Sequence, residues 1–290
     1  MNDSIYSLPI IDTITAHISQ RQLDQLPLIV VEHPKVRAAV ALQGAHLLSW
    51  QPQGEAPVLW ISENTPFEDG VAIRGGVPIC FPWFGPVSQP NHGFGRLLPW
   101  EFTAHSEDEH GVTLSFTLRD TEQTRQAWPH EFTVIARFHL SQSECHMELE
   151  AHGNYSITSA LHTYFQIGDI GKISVSGLGD TFIDKVNGGN TDVQQGDLVF
   201  TDRTDRIYTH PSSISRIQDP VLNRTIEVHH HHHSDVVAWN PGADLAKTIS
   251  DMTEAGSRTF VCVETAKVTQ PFVATTQAPA RLATTIRINK

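Results

Sequence analysis

Cysteine is scarce in this chain: Cys80, Cys145 and Cys262 are the only three among 290 residues. An odd count with no CxxC pair excludes a complete disulfide framework. Cys145 and Cys262 sit within apolar alternations and read as buried thiols, which fits a reducing compartment. No stretch approaches the roughly 18 consecutive apolar residues of a membrane span. The opening, MNDSIYSLPIIDTITAHISQ, lacks a basic segment followed by an apolar one, so no secretory leader is expected and the expected address is the cytoplasm. Positive charge is also short: 20 Lys plus Arg against 32 Asp plus Glu leave a net charge of −12. That balance argues against a nucleic-acid surface. It still permits a small anionic ligand, because a few arginines in a cleft set the local field. Linker-like composition breaks and fixed-period repeats are missing as well. A single domain over 1–290, able to bury a large core and acting as a monomer, is the expectation.

What is present is period-two alternation. Val112, Leu114, Phe116 and Leu118 alternate with Thr113, Ser115 and Thr117. Phe132 to Leu140, Cys145 to Leu149 and Leu282 to Ile288 repeat the pattern, the mark of half-buried antiparallel strands. Turn signals recur at 43–44, 52–54, 110–111, 187–189 and 240–242. Helical stretches are few and short, with Thr15 to Leu26 and Thr121 to Trp128 as candidates. Many strands, few helices and no βαβ rhythm predict an all-β sandwich of antiparallel sheets. The segment 64–99, NTPFEDGVAIRGGVPICFPWFGPVSQPNHGFGRLLPW, does not alternate. It is too apolar for disorder and too long for an idle connection, so a structured, site-forming loop is expected.

Several residues stand out within this frame. Arg74, beside a Gly-Gly pair, either presents its guanidinium at a cleft or pairs with a carboxylate. Asn91, His92 and Arg96 fall within one six-residue, glycine-containing run. They could face an oxygen-rich ligand, with Arg74 and Arg96 on a phosphate, or form a polar surface turn. His162 lies on a strand with Ala160, Tyr164 and Gln166 on its face. It is either a structural hydrogen-bonder or a general acid. Glu264, in FVCVETA, is the sharpest anomaly: a carboxylate among apolar neighbours is either paired or placed for function. Burial there would raise its pKa toward the range of a useful base. Asp205 could accept bonds from sugar hydroxyls or pair with Arg203 or Arg206. The run His229 to His233 cannot all ligate one ion from a strand, since successive side chains point to opposite faces, and it reads as a solvated hairpin turn.

Taken together, IRGGVPICFPWFG (73–85), HGFGRLLPW (92–100), ALHTYFQIGDI (160–170), TDRIY (204–208), VVAWNPG (236–242) and FVCVETA (260–266) resemble the aldose 1-epimerase-like family, and within it the hexose-6-phosphate mutarotases. Gly95 and Gly242 depart from the family's usual residues. The resemblance implies a galactose-mutarotase-like β-supersandwich, no cofactor or metal, and a small sugar phosphate as the only partner. It implies that His162 and Glu264 are the catalytic acid and base. It makes Arg74, Asn91, His92, Arg96 and Asp205 substrate contacts. Anomer exchange then needs one group to take the C1 hydroxyl proton and another to protonate the ring oxygen. In that scheme Glu264 acts as a carboxylate and His162 as an imidazolium.

Overall fold

Where the sequence alternates, the chain forms strands. In the computed structural model, which describes residues 2–253 and 255–290, the alternating runs are the strands Gly111–Arg119, Phe132–Ser141, Cys145–Gly153 and Ala280–Asn289. Their alternating apolar side chains are buried and most polar ones lie on the outer face, as a sheet with one solvated side requires, with the fully buried Thr284 as an exception. All four are adjacent and antiparallel within a nine-stranded sheet, which Arg224–His231 extends on the far side of Ala280–Asn289.

A second sheet, of eight strands, packs against the first. Its order runs Asn190–Val193, Thr181–Asp184, Thr204–Tyr208, Asp235–Asn240, Phe260–Ala274, Tyr155–Leu161 and Ile79–Cys80, with Tyr164–Gln166 also paired to Phe260–Ala274. The near-continuous apolar run at 260–266 follows from burial on both faces. Val261 and Val263, with Val236 and Ala238, enter the main core between the sheets. Each such side chain contributes about 1.5–3 kcal/mol through burial. Cys262 and Glu264 point the other way, beside Trp239 and Val237, their direct cross-strand partners. A one-residue slip of this strand would exchange the two sets.

A five-stranded meander, Ile10–Thr13, Ile18–Leu23, Leu26–His33, Val36–Ala41 and His46–Pro52, completes the sheets. It overturns the helix expected over Thr15 to Leu26. Ile18–Leu23 pairs in register with Leu26–His33, and Asp24 turns the chain at φ 50°. Hairpin pairing outweighs local propensity there. The second expected helix forms at Glu122–Ala127, capped by Thr121, whose hydroxyl accepts the Thr124 N–H at 3.2 Å. Among the described residues no helix is long and apolar enough to cross a membrane.

The histidine run is only partly a turn. His229 to His231 finish the strand Arg224–His231, and His232, at φ 58°, begins the reversal. His230 continues the inward series Ile226, Val228 and is 3% exposed. Its ring is satisfied on both sides, Nδ1 by Thr265 Oγ1 at 2.7 Å and Nε2 by Ser215 Oγ at 3.0 Å. The expectation of a solvated turn fails at this residue because period two carries every second side chain into the core.

Candidate active site

The face of the eight-stranded sheet that turns away from the main core is covered by the non-alternating segment 64–99, and a cavity of about 480 Å³ lies between them. That volume is typical of small-molecule sites, roughly 300–1,000 Å³. Glycine lets the loop approach this closely. A Cβ on Gly76, at φ 58°, would sit 2.3 Å from the Leu47 carbonyl oxygen, and one on Gly93, at φ 74°, would sit 2.1 Å from that of Phe81. These close approaches seat the backbone beside Arg74 and His92, both of which line the cavity.

His162 and Glu264 meet in the cavity wall. His162 falls in the two-residue break between Tyr155–Leu161 and Tyr164–Gln166, held by its backbone N–H on the Pro78 carbonyl at 3.0 Å. Its ring stacks on Tyr164 with centroids 4.9 Å apart and planes 7° from parallel, and meets Trp239 edge-on at 6.1 Å. Its Nδ1 lies 3.3 Å from Glu264 Oε1. Glu264 is 1% exposed and His162 8%. Yet His162 Nδ1 and Glu264 Oε2 are buried without a hydrogen-bond partner among the described residues. Groups left so are costly unless a ligand completes them.

Burial governs how the pair holds its protons. It pushes the Glu264 carboxyl well above its ordinary 4.5, helped by the Asp205 charge. It pushes the His162 imidazole well below 6.5, with His92, Arg96 and Arg74 acting in the same direction. An ion pair at 3.3 Å would favour the opposite arrangement. Desolvation dominates, because among the described residues neither His162 Nδ1 nor Glu264 Oε2 has the further hydrogen bond that a buried ion pair needs. Both shifts favour the carboxylic acid and the neutral imidazole over the ion pair. The carboxylate and imidazolium expected from the sequence contain the same number of protons, with one of them moved across the contact.

The remaining residues surround this pair. Arg74 donates from Nε to Asp251 at 3.0 Å and from Nη1 to the Tyr164 hydroxyl at 3.3 Å, and it lines the cavity. Both readings of Arg74 hold at once: it pairs with a carboxylate and faces the cleft. His92 accepts the Gly85 N–H at Nδ1 over 3.1 Å. Burial, reinforced by the Arg96 and Arg74 charges, lowers its pKa to about 3. The neutral ring therefore carries its proton on Nε2 as a donor. Asn91 and Asp205 also line the cavity. Asp205 makes no ion pair with Arg203 or Arg206 among the described residues; burial raises its pKa, while the Arg203 charge opposes the rise.

Arg96 departs from the expected placement. It stands behind the cavity lining with Nη2 on the Asn91 carbonyl at 2.8 Å, and reaches the site through that loop and through its charge on His92 and His162. Lys185, Arg203, Tyr164 and Trp239, none of them counted among the site residues from the sequence, also line the cavity. Lys185 and Arg203 are exposed and without an ion pair among the described residues, so they offer free positive charge to the cavity. The proximity of Lys185 to Asp205 was hidden, because Lys185 belongs to a neighbouring strand's end and reaches Asp205 only through sheet pairing, its N–H on the Asp205 carbonyl at 2.9 Å. Among the described residues one trio of metal-ligating side chains is close together, His162, Cys262 and Glu264, with ligand atoms within 4.8 Å of one another.

Comparison with known proteins converges on one chemistry. The family pattern described as aldose 1-epimerase matches residues 27–281. A Salmonella typhimurium protein provisionally named glucose-6-phosphate 1-epimerase is 56% identical over the full length of both chains. An Escherichia coli protein with the same provisional name is 54% identical, again over the full length of both. The crystal structure of a Salmonella typhimurium protein provisionally described as a mutarotase, 56% identical, superposes with a TM-score of 0.98 over 100% of this chain and 99% of that one.

Proposed function

The chain belongs to the aldose 1-epimerase family, an isomerase family acting on sugar anomers, and from that premise we propose that it interconverts the α and β anomers of a hexose 6-phosphate through His162 and Glu264. The observation that carries this reading is the buried pair itself: an imidazole and a carboxyl 3.3 Å apart on a cavity wall, each with an unpartnered polar atom.

Mutarotation breaks and remakes the C1–O5 bond without redox change. One group removes the C1 hydroxyl proton while another protonates the ring oxygen. The sugar's hydroxyls supply hydrogen bonds to the pair. With them in place the shared proton shifts from Glu264 to His162. Glu264 then takes the C1 hydroxyl proton and His162 delivers its own to O5, giving the open-chain aldehyde. Rotation about C1–C2 presents the other carbonyl face, and the reverse transfers close the ring. Each half-reaction leaves the pair's proton count unchanged, so no exchange with water is required. Tyr164, stacked on the imidazole, and Trp239, edge-on to it, hold its plane. His92 Nε2–H, Asn91 and Asp205 bond sugar hydroxyls.

Positive charge at the cavity favours the phosphorylated sugar. Arg74 supplies it on the wall, Arg96 from behind, and Lys185 and Arg203 at the exposed edge. The names of the Salmonella and Escherichia relatives point to glucose 6-phosphate. All these groups come from one copy, which suits a monomer, and three free buried thiols suit the cytoplasm.

Polarimetry on freshly dissolved α-glucose 6-phosphate tests the proposal. Acceleration well beyond the buffer rate, with a higher kcat/KM for the phosphate than for glucose, is expected. Sugar-phosphate binding with no acceleration would favour a non-catalytic carbohydrate-binding module on the same sandwich. Equal use of the two sugars would remove the phosphate site.

A further inference from the structure

We propose that His162, Cys262 and Glu264 form a capture site for a zinc-class divalent ion, and that occupancy of this site switches the enzyme off. The three are neighbours through sheet pairing. Glu264 and Cys262 alternate on one face of Phe260–Ala274, and Tyr164, two residues beyond His162, is the direct partner of Cys262. All three side chains are buried, and their ligand atoms lie within 4.8 Å of one another. Two polar atoms of the trio, His162 Nδ1 and Glu264 Oε2, have no hydrogen-bond partner among the described residues.

The spacing suits a small tetrahedral ion. Bonds of about 2.1 Å to nitrogen and oxygen place those two ligand atoms about 3.4 Å apart. His162 Nδ1 and Glu264 Oε1 are already 3.3 Å apart. A bond of about 2.3 Å to sulfur puts the thiolate about 3.6 Å from each of them, so Cys262 must close by no more than about 1.2 Å. One imidazole, one thiolate and one carboxylate form the ligand set of zinc and cobalt rather than of magnesium or calcium. Charge also balances. A dication with one thiolate and one carboxylate leaves no net charge in the buried pocket, and the thiol and carboxyl protons depart to solvent. The fourth position faces the cavity, where water completes the shell.

Such an ion occupies the lone pairs that the proposed proton exchange uses. Metal binding itself stands apart from the catalytic reading; only the inhibition rests on it. Cys262 has no part in the acid–base scheme, which allows the two to be separated.

The experiment titrates the full chain, without thiol reductant, with Co²⁺ and with Zn²⁺. Co²⁺ should produce a thiolate-to-cobalt charge-transfer band in the near ultraviolet at one equivalent, lost in Cys262→Ser and in Glu264→Gln. Retention of the band in Cys80→Ser separates it from the other thiol near a histidine, whose sulfur is 3.4 Å from His92 Nδ1. Zn²⁺ should abolish anomerisation reversibly, with a chelator restoring it. Cys262→Ser should keep the basal rate while needing at least about tenfold more Zn²⁺ for inhibition, as expected when a direct ligand is lost. Absence of a cysteine-dependent band at saturating cobalt overturns the site, whatever the activity. A band without inhibition overturns the switch and counts against the catalytic use of the pair, while leaving the metal site standing.

Discussion

His162 Nδ1 lies 3.3 Å from Glu264 Oε1, within ion-pair distance, yet neither that nitrogen nor Glu264 Oε2 has a hydrogen-bond partner among the described residues. A buried polar group in that state costs about 1–3 kcal/mol. His162 and Glu264 both line the cavity where, under the proposed function, a sugar would offer them partners.

The pair should titrate as a unit. With the His162 value held well below 6.5 and the Glu264 value well above 4.5, one shared proton is retained across the intervening range. The pH dependence of kcat/KM is expected to be a plateau. Its acid limb lies below 6.5, where the pair gains a proton, and its alkaline limb well above 4.5, where it loses one. Residual activity in Glu264→Gln should lack the alkaline limb. A single inflection at 6.5 or at 4.5 would show that the two groups are not coupled.

Stability carries the same signature. Because the folded-state value of Glu264 is raised, the native state binds more protons than the unfolded one above 4.5, and stability falls as pH rises from there toward the folded value. For His162 the folded value is lowered, so its contribution is complete above 6.5 and lost as pH falls below it. Thermal melts of Glu264→Gln and the unmodified chain should therefore diverge as pH rises above 4.5, the variant gaining relative stability. Parallel curves would mean that the carboxyl is not held protonated.

Arg74 combines a fixed orientation with access to the cavity. Arg74→Ala is expected to raise KM for glucose 6-phosphate roughly 10- to 100-fold, the worth of one charge-assisted bond, with a smaller change for glucose. Lys185→Ala and Arg203→Ala should act in the same direction. Arg96→Ala should lower kcat as well, because its guanidinium holds the Asn91 carbonyl and thereby the loop carrying His92. Steady-state kinetics on both sugars read each effect. An Arg74→Ala enzyme that loses equally on both would not have a phosphate contact there.

The histidine run divides by burial. His230→Ala leaves the Thr265 and Ser215 hydroxyls unpaired in the core and is expected to cost about 2–4 kcal/mol. His232→Ala, at the exposed turn, should stay within about 0.5 kcal/mol. Urea unfolding of the two variants measures the difference. Equal midpoints would return the whole run to the surface.

Much of this architecture was legible in the sequence where residues themselves impose a period. Val112 to Leu118 and Phe132 to Leu140 announce their faces, and the Thr121 cap announces its helix. Segment 64–99 announced a site by failing to alternate. Ile18 to Leu23 was not legible, because its pairing with Leu26 to His33 is a tertiary event that local propensity does not report. His230 escaped notice because identical neighbours mask the inward parity. Glu264 and His162 could each be singled out by chemistry. Their 3.3 Å approach depends on strand order, and the neutral state of the pair depends on burial. The retreat of Arg96 and the arrival of Lys185 and Arg203 were decided by loop geometry and sheet pairing, which no local motif encodes.

The most direct test is exchange NMR on an equilibrated α/β mixture of glucose 6-phosphate, comparing the unmodified chain with Glu264→Gln and with His162→Asn. Rapid transfer of magnetisation between the two C1 protons is expected with the unmodified chain, and a kcat lower by about 10²–10⁴ in each variant, the worth of one positioned acid or base. Exchange at full rate in either variant would contradict the assignment of that residue, and exchange no faster than in buffer with the unmodified chain would contradict the enzyme.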